Sequence, residues 1–245
     1  MTIDACISAA DVTPERVLHK SCVVIDVFRA TSVIITALEA GAERVIPAVT
    51  VKEAIGMHKS LAQRGHAALL GGERNAVKVE GFDKGNSPAS YMTSDVRGAT
   101  IVLTTTNGTR AIDNARAARR IYIGALINAG AVSRRLLAEG RDAVLVCSGR
   151  QGNYTLEDAL CAGMIAGAML EADPSIFLTD ITRTMADIYA LHSSDLRKGL
   201  ANCQHYNHIM SIGLQDDVEY CLQRDICRIV PYVDELFNIV ADGLV

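Results

Sequence analysis

The sequence predicts an α/β protein, with a layered α/β/α arrangement around a largely parallel or mixed sheet and a mostly helical C-terminal segment. Short β-branched apolar runs alternate with longer helical runs, which is the pattern of strands joined by crossover helices. Polar, glycine-containing turns follow several of these strands. No linker rich in Pro, Gly and Ser interrupts the chain. We therefore expect one domain over residues 1–245, with two tightly packed lobes (about 1–125 and 126–245) as the alternative.

The individual elements are predicted from apolar runs and from the residues that end them. The predicted strands are residues 3–8, 21–28, 44–49, 67–70, a run beginning at 101, 120–124 and 143–147. The predicted helices are residues 32–40, 51–64, 111–118, 128–139 and 155–170, several of them followed by a glycine. Residues 71–91 form one long irregular stretch, which we interpret as an ordered, functional loop. Residues 179–245 are mainly helical, with a weaker strand signal at 227–233.

Composition excludes several classes of protein. The net charge of −4, the absence of Trp and the 4% aromatic content argue against a nucleic-acid-binding surface. Asp4 stands where a signal peptide would be basic and then apolar, and the longest apolar runs are about half the ~20 residues of a membrane span. Seven scattered cysteines without a C-x-x-C pair indicate reduced thiols. We expect a cytoplasmic protein that contacts neither membrane nor nucleic acid.

The stretch IVLTTTNGTR, residues 101–110, is the first candidate for a binding site. It opens as a buried strand, becomes polar and leads directly into a helical run. Ligands bind at this end of strands in open α/β sheets, and a helix N-terminus favours an anion. The hydroxyls, amide, glycine and guanidinium of the turn therefore suit an oxyanion. The alternative is a structural role, in which Asn107 caps the helix and Gly108 relieves the turn.

An arginine recurs in three strand–turn–helix units. The turns read DVFRATS, TTNGTRA and CSGRQGN, and they carry Arg29, Arg110 and Arg150. Parallel strands place their carboxyl ends on one edge of a sheet, so we expect the three turns to converge on one anion. The loop at residues 71–91 also leaves a strand, and would add Glu73, Arg74 and Lys78 to the same cleft.

Four longer strings resemble the 2-phosphosulfolactate phosphatase family (ComB-like). They are VVIDVFRATS, GGERNAVKVEGFDKGNSP, TIVLTTTNGTRA and LVCSGRQGNYTLEDALCAG, in matching order and approximate spacing. The resemblance covers most of residues 1–170 and is weaker beyond. It implies a Mg²⁺-dependent phosphatase that converts 2-phosphosulfolactate to 3-sulfolactate and phosphate, a step of sulfolactate and coenzyme M biosynthesis.

Such a substrate would carry phosphate, sulfonate and carboxylate groups, and binding it requires several cations and many hydrogen-bond donors. We expect Asp26 and Arg29 to be catalytic. Asp26, Glu73 and Glu157 are the candidate Mg²⁺ ligands, and water, or less readily Asp26 itself, would attack phosphorus. The candidate substrate-binding residues are Thr31, Ser32, Arg74, Lys78, Asn86, Thr106, Asn107, Gly108, Thr109, Arg110 and Arg150.

Several of these acids have structural alternatives. Asp26 could pair with Arg29 or Arg110 as buried support. Asp158 has the spacing of a capping box with Thr155, and Glu157 could simply favour the helix dipole.

Other nucleophiles and ligands fit the sequence less well. Cys147 lacks the arginine six residues later that a thiol phosphatase loop uses, so a buried strand cysteine is favoured. His205 and His208 have helical spacing without a clear third ligand, which favours a solvated helix face over a zinc site.

Two other functions stay open from the sequence: a phosphatase of another small 2-phospho acid, and a non-catalytic binder of anionic metabolites. Self-association through the C-terminal helices also stays open.

Overall fold

In the part of the chain that the structure describes, eleven strands form one mixed sheet, and most of them coincide with the short apolar runs that predict strands. The structure, a computed structural model, describes residues 1–241. In chain order the strands are β1 (Thr2–Cys6), β2 (Ser21–Ile25), β3 (Arg44–Pro47), β4 (Ala68–Arg74), β5 (Val77–Lys78), β6 (Thr100–Thr104), β7 (Arg120–Gly124), β8 (Ala143–Cys147), β9 (Phe177–Leu178), β10 (Tyr232–Val233) and β11 (Ile239–Val240). The layered α/β prediction is confirmed.

Helices follow the strands, as the alternating pattern predicts. They are α1 (Pro14–Val17), α2 (Ala30–Glu39), α3 (Val51–Gln63), α4 (Gly108–Asn114), α5 (Ala129–Glu139), α6 (Leu156–Ala172), α7 (Asp180–His192), α8 (Leu196–Leu200), α9 (Gln204–Ser211) and α10 (Gln215–Cys221). Helix α3 begins with a capping box in which Thr50 and Glu53 bond each other's backbone N–H groups. Within residues 1–241, no helix has both the length and the apolar composition needed to cross a bilayer.

The C-terminal hairpin joins two parallel blocks of the sheet. The strand order is β5-β4-β6-β3-β11-β10-β7-β2-β8-β1-β9. Strands β4, β6 and β3 pair in parallel, and so do β7, β2, β8, β1 and β9. Between the blocks, β11 pairs antiparallel with β3 through Ile239 and Val45, and β10 with β7 through Tyr232 and Tyr122. The segment predicted to be mainly helical therefore also closes the sheet.

Both faces of the sheet are covered, which explains why the central strands are apolar throughout rather than alternating. Alternate residues of β2 enter different cores. Val23 and Ile25 pack with α5, α6 and the later helices on one face. Cys22 and Val24 pack with α2 and α4 on the other face. Because both faces are apolar, polar side chains are expected mainly at the ends of the strands.

The loop predicted at residues 71–91 is partly regular. Strand β4 extends through Gly71 and Gly72 to Arg74 and turns back into β5 as a hairpin. Gly72 has φ +150°, and a Cβ there would collide with the carbonyl oxygen of Thr104 in the neighbouring strand. The sequence predicts that Gly71 and Gly72 belong to a loop, but both continue β4, and Gly72 allows two strand backbones to approach closely.

We predict that the hairpin is required for stability. Ile239 is fully buried, so Ile239→Ala should lower the free energy of unfolding by about 2–5 kcal/mol, since it leaves a cavity at the centre of the sheet. Leu236 lies in the same hairpin but is 81% exposed, and Leu236→Ala should change stability by less than about 0.5 kcal/mol. Urea unfolding followed by circular dichroism measures both. Equal effects would contradict the placement of β11.

Candidate active site

One cleft collects polar side chains from the turns after four strands. The turn after β2 contributes Asp26 and Arg29, and the residues at and after the end of β4 contribute Glu73 and Asn86. The turns after β6 and β8 and helix α9 complete the wall. Of the residues predicted from the sequence, those that line the cleft are Asp26, Arg29, Glu73, Asn86, Thr106, Asn107 and Arg150. Residues that the prediction did not place there are Phe28, Asn75, Ala76, Thr105, Gln151, His205, His208 and Ile209.

Asp26 lies directly after β2 and is only 8% exposed. Its Oδ1 accepts a hydrogen bond of 3.2 Å from the backbone N–H of Ala30, in the first turn of α2. Its backbone is held by Thr31, whose Oγ1 donates to the Asp26 carbonyl at 2.9 Å. Burial, reinforced by the carboxylates of Glu73 and Glu157, raises the pKa of Asp26 to about 6. A carboxyl with this pKa is still mainly ionised at neutral pH.

The N-terminus of α4 packs directly against Asp26. A Cβ on Gly108 would lie 2.8 Å from Asp26 Oδ2 and would also overlap the Cβ of Ala30. Glycine at this position therefore allows the turn after β6 to meet the turn after β2. Gly108 positions the site through this contact and is not among the residues that line the cleft.

Glu73 joins two loops through its carboxylate. Oε1 accepts a hydrogen bond from the backbone N–H of Thr106 at 2.7 Å, and Oε2 accepts one from Ala76, also at 2.7 Å. The side chain is 6% exposed. Glu73 thus fixes the loop after β6 against the β4–β5 hairpin while it lines the cleft.

Asp158 has a role that the sequence did not predict. Instead of forming the capping box with Thr155, it accepts hydrogen bonds from the backbone N–H groups of Val27 at 2.9 Å and Gly149 at 3.0 Å. It therefore joins the ends of β2 and β8. Burial, followed by the nearby Glu157 and Asp26 carboxylates, raises the pKa of Asp158 well above its usual range.

Glu157 pairs with a histidine from the C-terminal region. Its Oε1 lies 2.5 Å from Nδ1 of His205, and the imidazole packs edge-on against Phe28 with ring centroids 6.1 Å apart. The sequence favoured a solvated face for His205 and His208, but both line the cleft. Burial, followed by Arg150 and His205, lowers the pKa of His208. No local pattern in the sequence indicates the Glu157 contact, because the two residues meet only in the folded chain.

Arg29 forms a buried ion pair with Asp217 of α10. Nη1 donates to Asp217 Oδ2 at 2.6 Å, and Nη2 donates to the carbonyl oxygen of Ala76 at 3.2 Å. The second oxygen of Asp217 accepts a hydrogen bond of 2.6 Å from Ser87 Oγ. Arg29 lines the cleft, and its guanidinium is held there by α10 and by the β4–β5 hairpin.

Arg150 and Asn107 line the cleft from the turns after β8 and β6. Arg150 is half-buried and belongs to the turn after β8, which Asn107 secures by accepting a hydrogen bond of 3.1 Å from the backbone N–H of Gln151. Asn107 does not cap α4 with its side chain. Within the described residues, Arg150 has no carboxylate within ion-pair distance, in contrast to Arg29. Its charge is therefore available to an anionic ligand.

Three predicted hydroxyls serve the backbone instead of the cleft. Thr31 Oγ1 bonds the carbonyl of Asp26, Ser32 Oγ that of Val27 and Thr109 Oγ1 that of Thr105. Short hydroxyls at the start of a helix reach nearby carbonyls readily, and all three side chains are buried.

Three predicted cations also lie outside the cleft. Arg74 turns away and donates to Thr104 Oγ1 at 2.8 Å, because neighbouring residues of a strand point to opposite faces. Lys78 and Arg110 are exposed and do not line the cleft.

Unsatisfied polar atoms are concentrated at this cleft. Residues 1–241 contain seven buried side-chain nitrogen or oxygen atoms without a hydrogen-bond partner, whereas such atoms are normally bonded. Three of them, Arg29 Nε, Asn86 Oδ1 and Thr106 Oγ1, belong to residues that line the cleft. Two more, Thr155 Oγ1 and Glu157 Oε2, line the pocket that continues from it past Arg150. The pattern is that of a site built for a polar ligand.

Comparison with known proteins identifies the family. The sequence pattern of the family described as 2-phosphosulpholactate phosphatase matches residues 7–235. A Clostridium beijerinckii protein named "Probable 2-phosphosulfolactate phosphatase" is 42% identical over 231 residues, which are 94% of this chain and 96% of that protein. A Clostridium kluyveri protein of the same name is 41% identical over 239 residues, 97% of this chain and 98% of that protein. The resemblance in the four sequence strings is thereby confirmed. The chain belongs to the 2-phosphosulpholactate phosphatase family and is a phosphoric monoester hydrolase.

Proposed function

We propose that this protein is a Mg²⁺-dependent phosphatase that hydrolyses 2-phosphosulfolactate to 3-sulfolactate and inorganic phosphate. The names of the relatives, which align over nearly the whole chain, support this choice of substrate. The observation that supports it best is the group of unsatisfied buried polar atoms around Asp26, at the strand ends where α/β proteins bind anions. A pathway role in sulfolactate and coenzyme M biosynthesis belongs to this proposal. The unpaired cysteines suit the reducing cytoplasm, where we place the enzyme.

The acids in and beside the cleft suit Mg²⁺. Asp26 and Glu73 line the cleft and would supply carboxylate oxygens. Glu157 lines the adjoining pocket and would supply Oε2, which is buried and has no partner among the described residues. Within residues 1–241, no three His, Cys, Asp or Glu side chains are close enough to hold a metal by themselves. Mg²⁺ does not require a closed cage, since it is commonly bound by one or two carboxylates together with water and substrate phosphate. When bound, it would neutralise phosphoryl oxygens beside these acids.

The reaction adds water across the phosphorus–oxygen ester bond. A water oxygen bonds to phosphorus, the ester bond breaks, and the alcohol oxygen of the product gains a proton. Asp26 would hold or orient the attacking water, because it lines the cleft beside Arg29 and Glu73. Its raised pKa would also make it a stronger base than an ordinary aspartate. Direct attack by the Asp26 carboxylate, followed by hydrolysis, is the second route to the same products.

The remaining residues bind the anionic groups. Arg29 Nε, Thr106 and Asn86 line the cleft with unsatisfied polar atoms, and Arg150 adds a cation that no carboxylate neutralises. Guanidinium groups suit phosphate and sulfonate oxygens because their N–H groups are planar and fixed in direction. Within this proposal, Arg150 is the residue that contacts the second anionic group of the substrate.

The decisive experiment measures phosphate release from 2-phosphosulfolactate beside other 2-phospho acids, with Mg²⁺ and with chelator. Mg²⁺-dependent preference for the sulfonated substrate supports the proposal. Preference for another phospho acid would mean that the protein is a phosphatase with a different substrate. Binding without turnover would indicate a non-catalytic binder of anionic metabolites.

Asp26→Asn should lower kcat by at least about 100-fold, because the amide can neither accept a proton nor serve as a charged ligand. The control is Asp187→Asn on the exposed surface of α7, where the side chain is 65% exposed and pairs with Arg183. Initial rates of phosphate release measure both variants. An Asp26→Asn enzyme with near-normal turnover would exclude Asp26 as a catalytic residue.

The same variant should be more stable than the native protein in chelator at high pH. The pKa of Asp26 is raised from 3.8 to about 6 in the folded protein, so the folded state binds its proton more tightly than the unfolded state does. This stability is fully present below the unfolded pKa and is lost as the pH rises through about 6. The advantage of Asp26→Asn should grow from none near pH ~4 to roughly 1–3 kcal/mol near pH ~8. Urea unfolding measures it, and a pH-independent difference would contradict the raised pKa.

Arg150 and Arg110 should differ in their effect on substrate binding. Arg150→Gln should raise KM about tenfold or more, because it removes a charged hydrogen bond to the substrate. Arg110→Gln should change KM less than about twofold, since Arg110 is exposed and outside the cleft. Steady-state kinetics compares the KM values of the two variants. An equal rise in KM would contradict the placement of Arg150 inside the cleft and Arg110 outside it.

A further inference from the structure

We propose that Asp217 is a positioning residue, which directs the guanidinium of Arg29 toward the phosphate of the substrate. The inference rests on the proposed function and extends it to α10, a helix that lies beyond the four sequence strings. Asp217 itself is not among the residues that line the cleft. Its action must therefore pass through Arg29.

The contacts of Arg29 leave one of its nitrogens for a ligand. Nη1 donates to Asp217 and Nη2 to the carbonyl oxygen of Ala76. Nε is buried and has no partner in the described part of the chain. Arg29 is 3% exposed, so bulk water does not readily compensate this donor. A bound oxyanion would satisfy it.

Asp217 is held as firmly as the arginine. It is 5% exposed, and its second oxygen accepts a hydrogen bond of 2.6 Å from Ser87 Oγ. Ser87 immediately precedes a short 3₁₀ turn (Pro88–Tyr91), which packs against α10. Both oxygens of Asp217 thus accept hydrogen bonds, which orients the carboxylate toward Arg29.

Competing acceptors explain why Arg29 needs this partner. Asp26 and Glu73 line the same cleft and carry carboxylates that would attract an unrestrained guanidinium. Without Asp217, Arg29 would pair with one of them, which would remove both a substrate donor and a free carboxylate. The Arg29–Asp217 pair therefore keeps the two kinds of charge in the cleft apart.

The test compares Asp217→Asn with Asp216→Asn, a matched control one residue earlier in α10 on its exposed side. Isothermal titration with inorganic phosphate in the presence of Mg²⁺ measures anion affinity, and steady-state kinetics measures kcat and KM. Asp217→Asn should weaken phosphate binding and raise KM by about tenfold or more, which corresponds to the loss of one well-placed charged hydrogen bond. Asp216→Asn should leave both unchanged.

A double-mutant cycle with Arg29→Gln separates positioning from general support. Once Arg29 is replaced, Asp217→Asn should weaken phosphate binding no further, because the residue acts only through the arginine. Independent, additive losses would overturn the proposal, and so would lowered thermal stability with unchanged phosphate affinity and KM. Ser87→Ala is a milder change that removes one hydrogen bond to Asp217, and it should also weaken phosphate binding. This variant replaces Asp217→Asn in the test if Asp217→Asn does not fold. If the native enzyme hydrolyses no phospho acid, the proposed function fails, while the phosphate titration still tests the role of Asp217.

Discussion

The turns at the ends of the strands are held together by buried carboxylates that accept backbone N–H groups. Glu73 joins the loop after β6 to the β4–β5 hairpin, and Asp158 joins the ends of β2 and β8. Asp26 accepts from the first turn of α2. Irregular backbone inside a protein must find such partners, and acceptors with two oxygens can serve two segments at once. The arrangement of the site follows from this requirement.

The same carboxylates create an electrostatic cost. Burial raises the pKa values of Asp26 and Asp158, and in the described part of the chain neither carboxylate forms an ion pair with a Lys or Arg side chain. Arg29 is already paired with Asp217, which leaves Arg150 as the cleft cation without a carboxylate partner in the described chain. An anionic substrate entering such a cleft would meet repulsion unless it brought or met another cation, which is the physical argument for Mg²⁺ in the proposed reaction.

The sequence predicted the fold and about half of the cleft, because both depend on local patterns. Asp26, Glu73 and Arg150 are polar residues at the ends of apolar strands, and such positions reach the ligand edge of a parallel sheet. The local pattern does not give the direction in which a side chain points. Arg74 follows Glu73 in a strand and therefore points to the other face. The local pattern also does not give contacts between distant segments, since nothing near His205 or Asp217 in the sequence marks Glu157 or Arg29 as a partner.

The position of the C-terminal hairpin constrains how the chain can fold during synthesis. β10 and β11 lie between strands that are made far earlier, with Ile239 beside Val45 and Tyr232 beside Tyr122. The two parallel blocks can begin to pack while the chain is still being translated, but they cannot be joined until the hairpin has left the ribosome. Until then the facing edges of β3 and β7 remain unpaired, and unpaired strand edges are the places where incompletely folded chains associate.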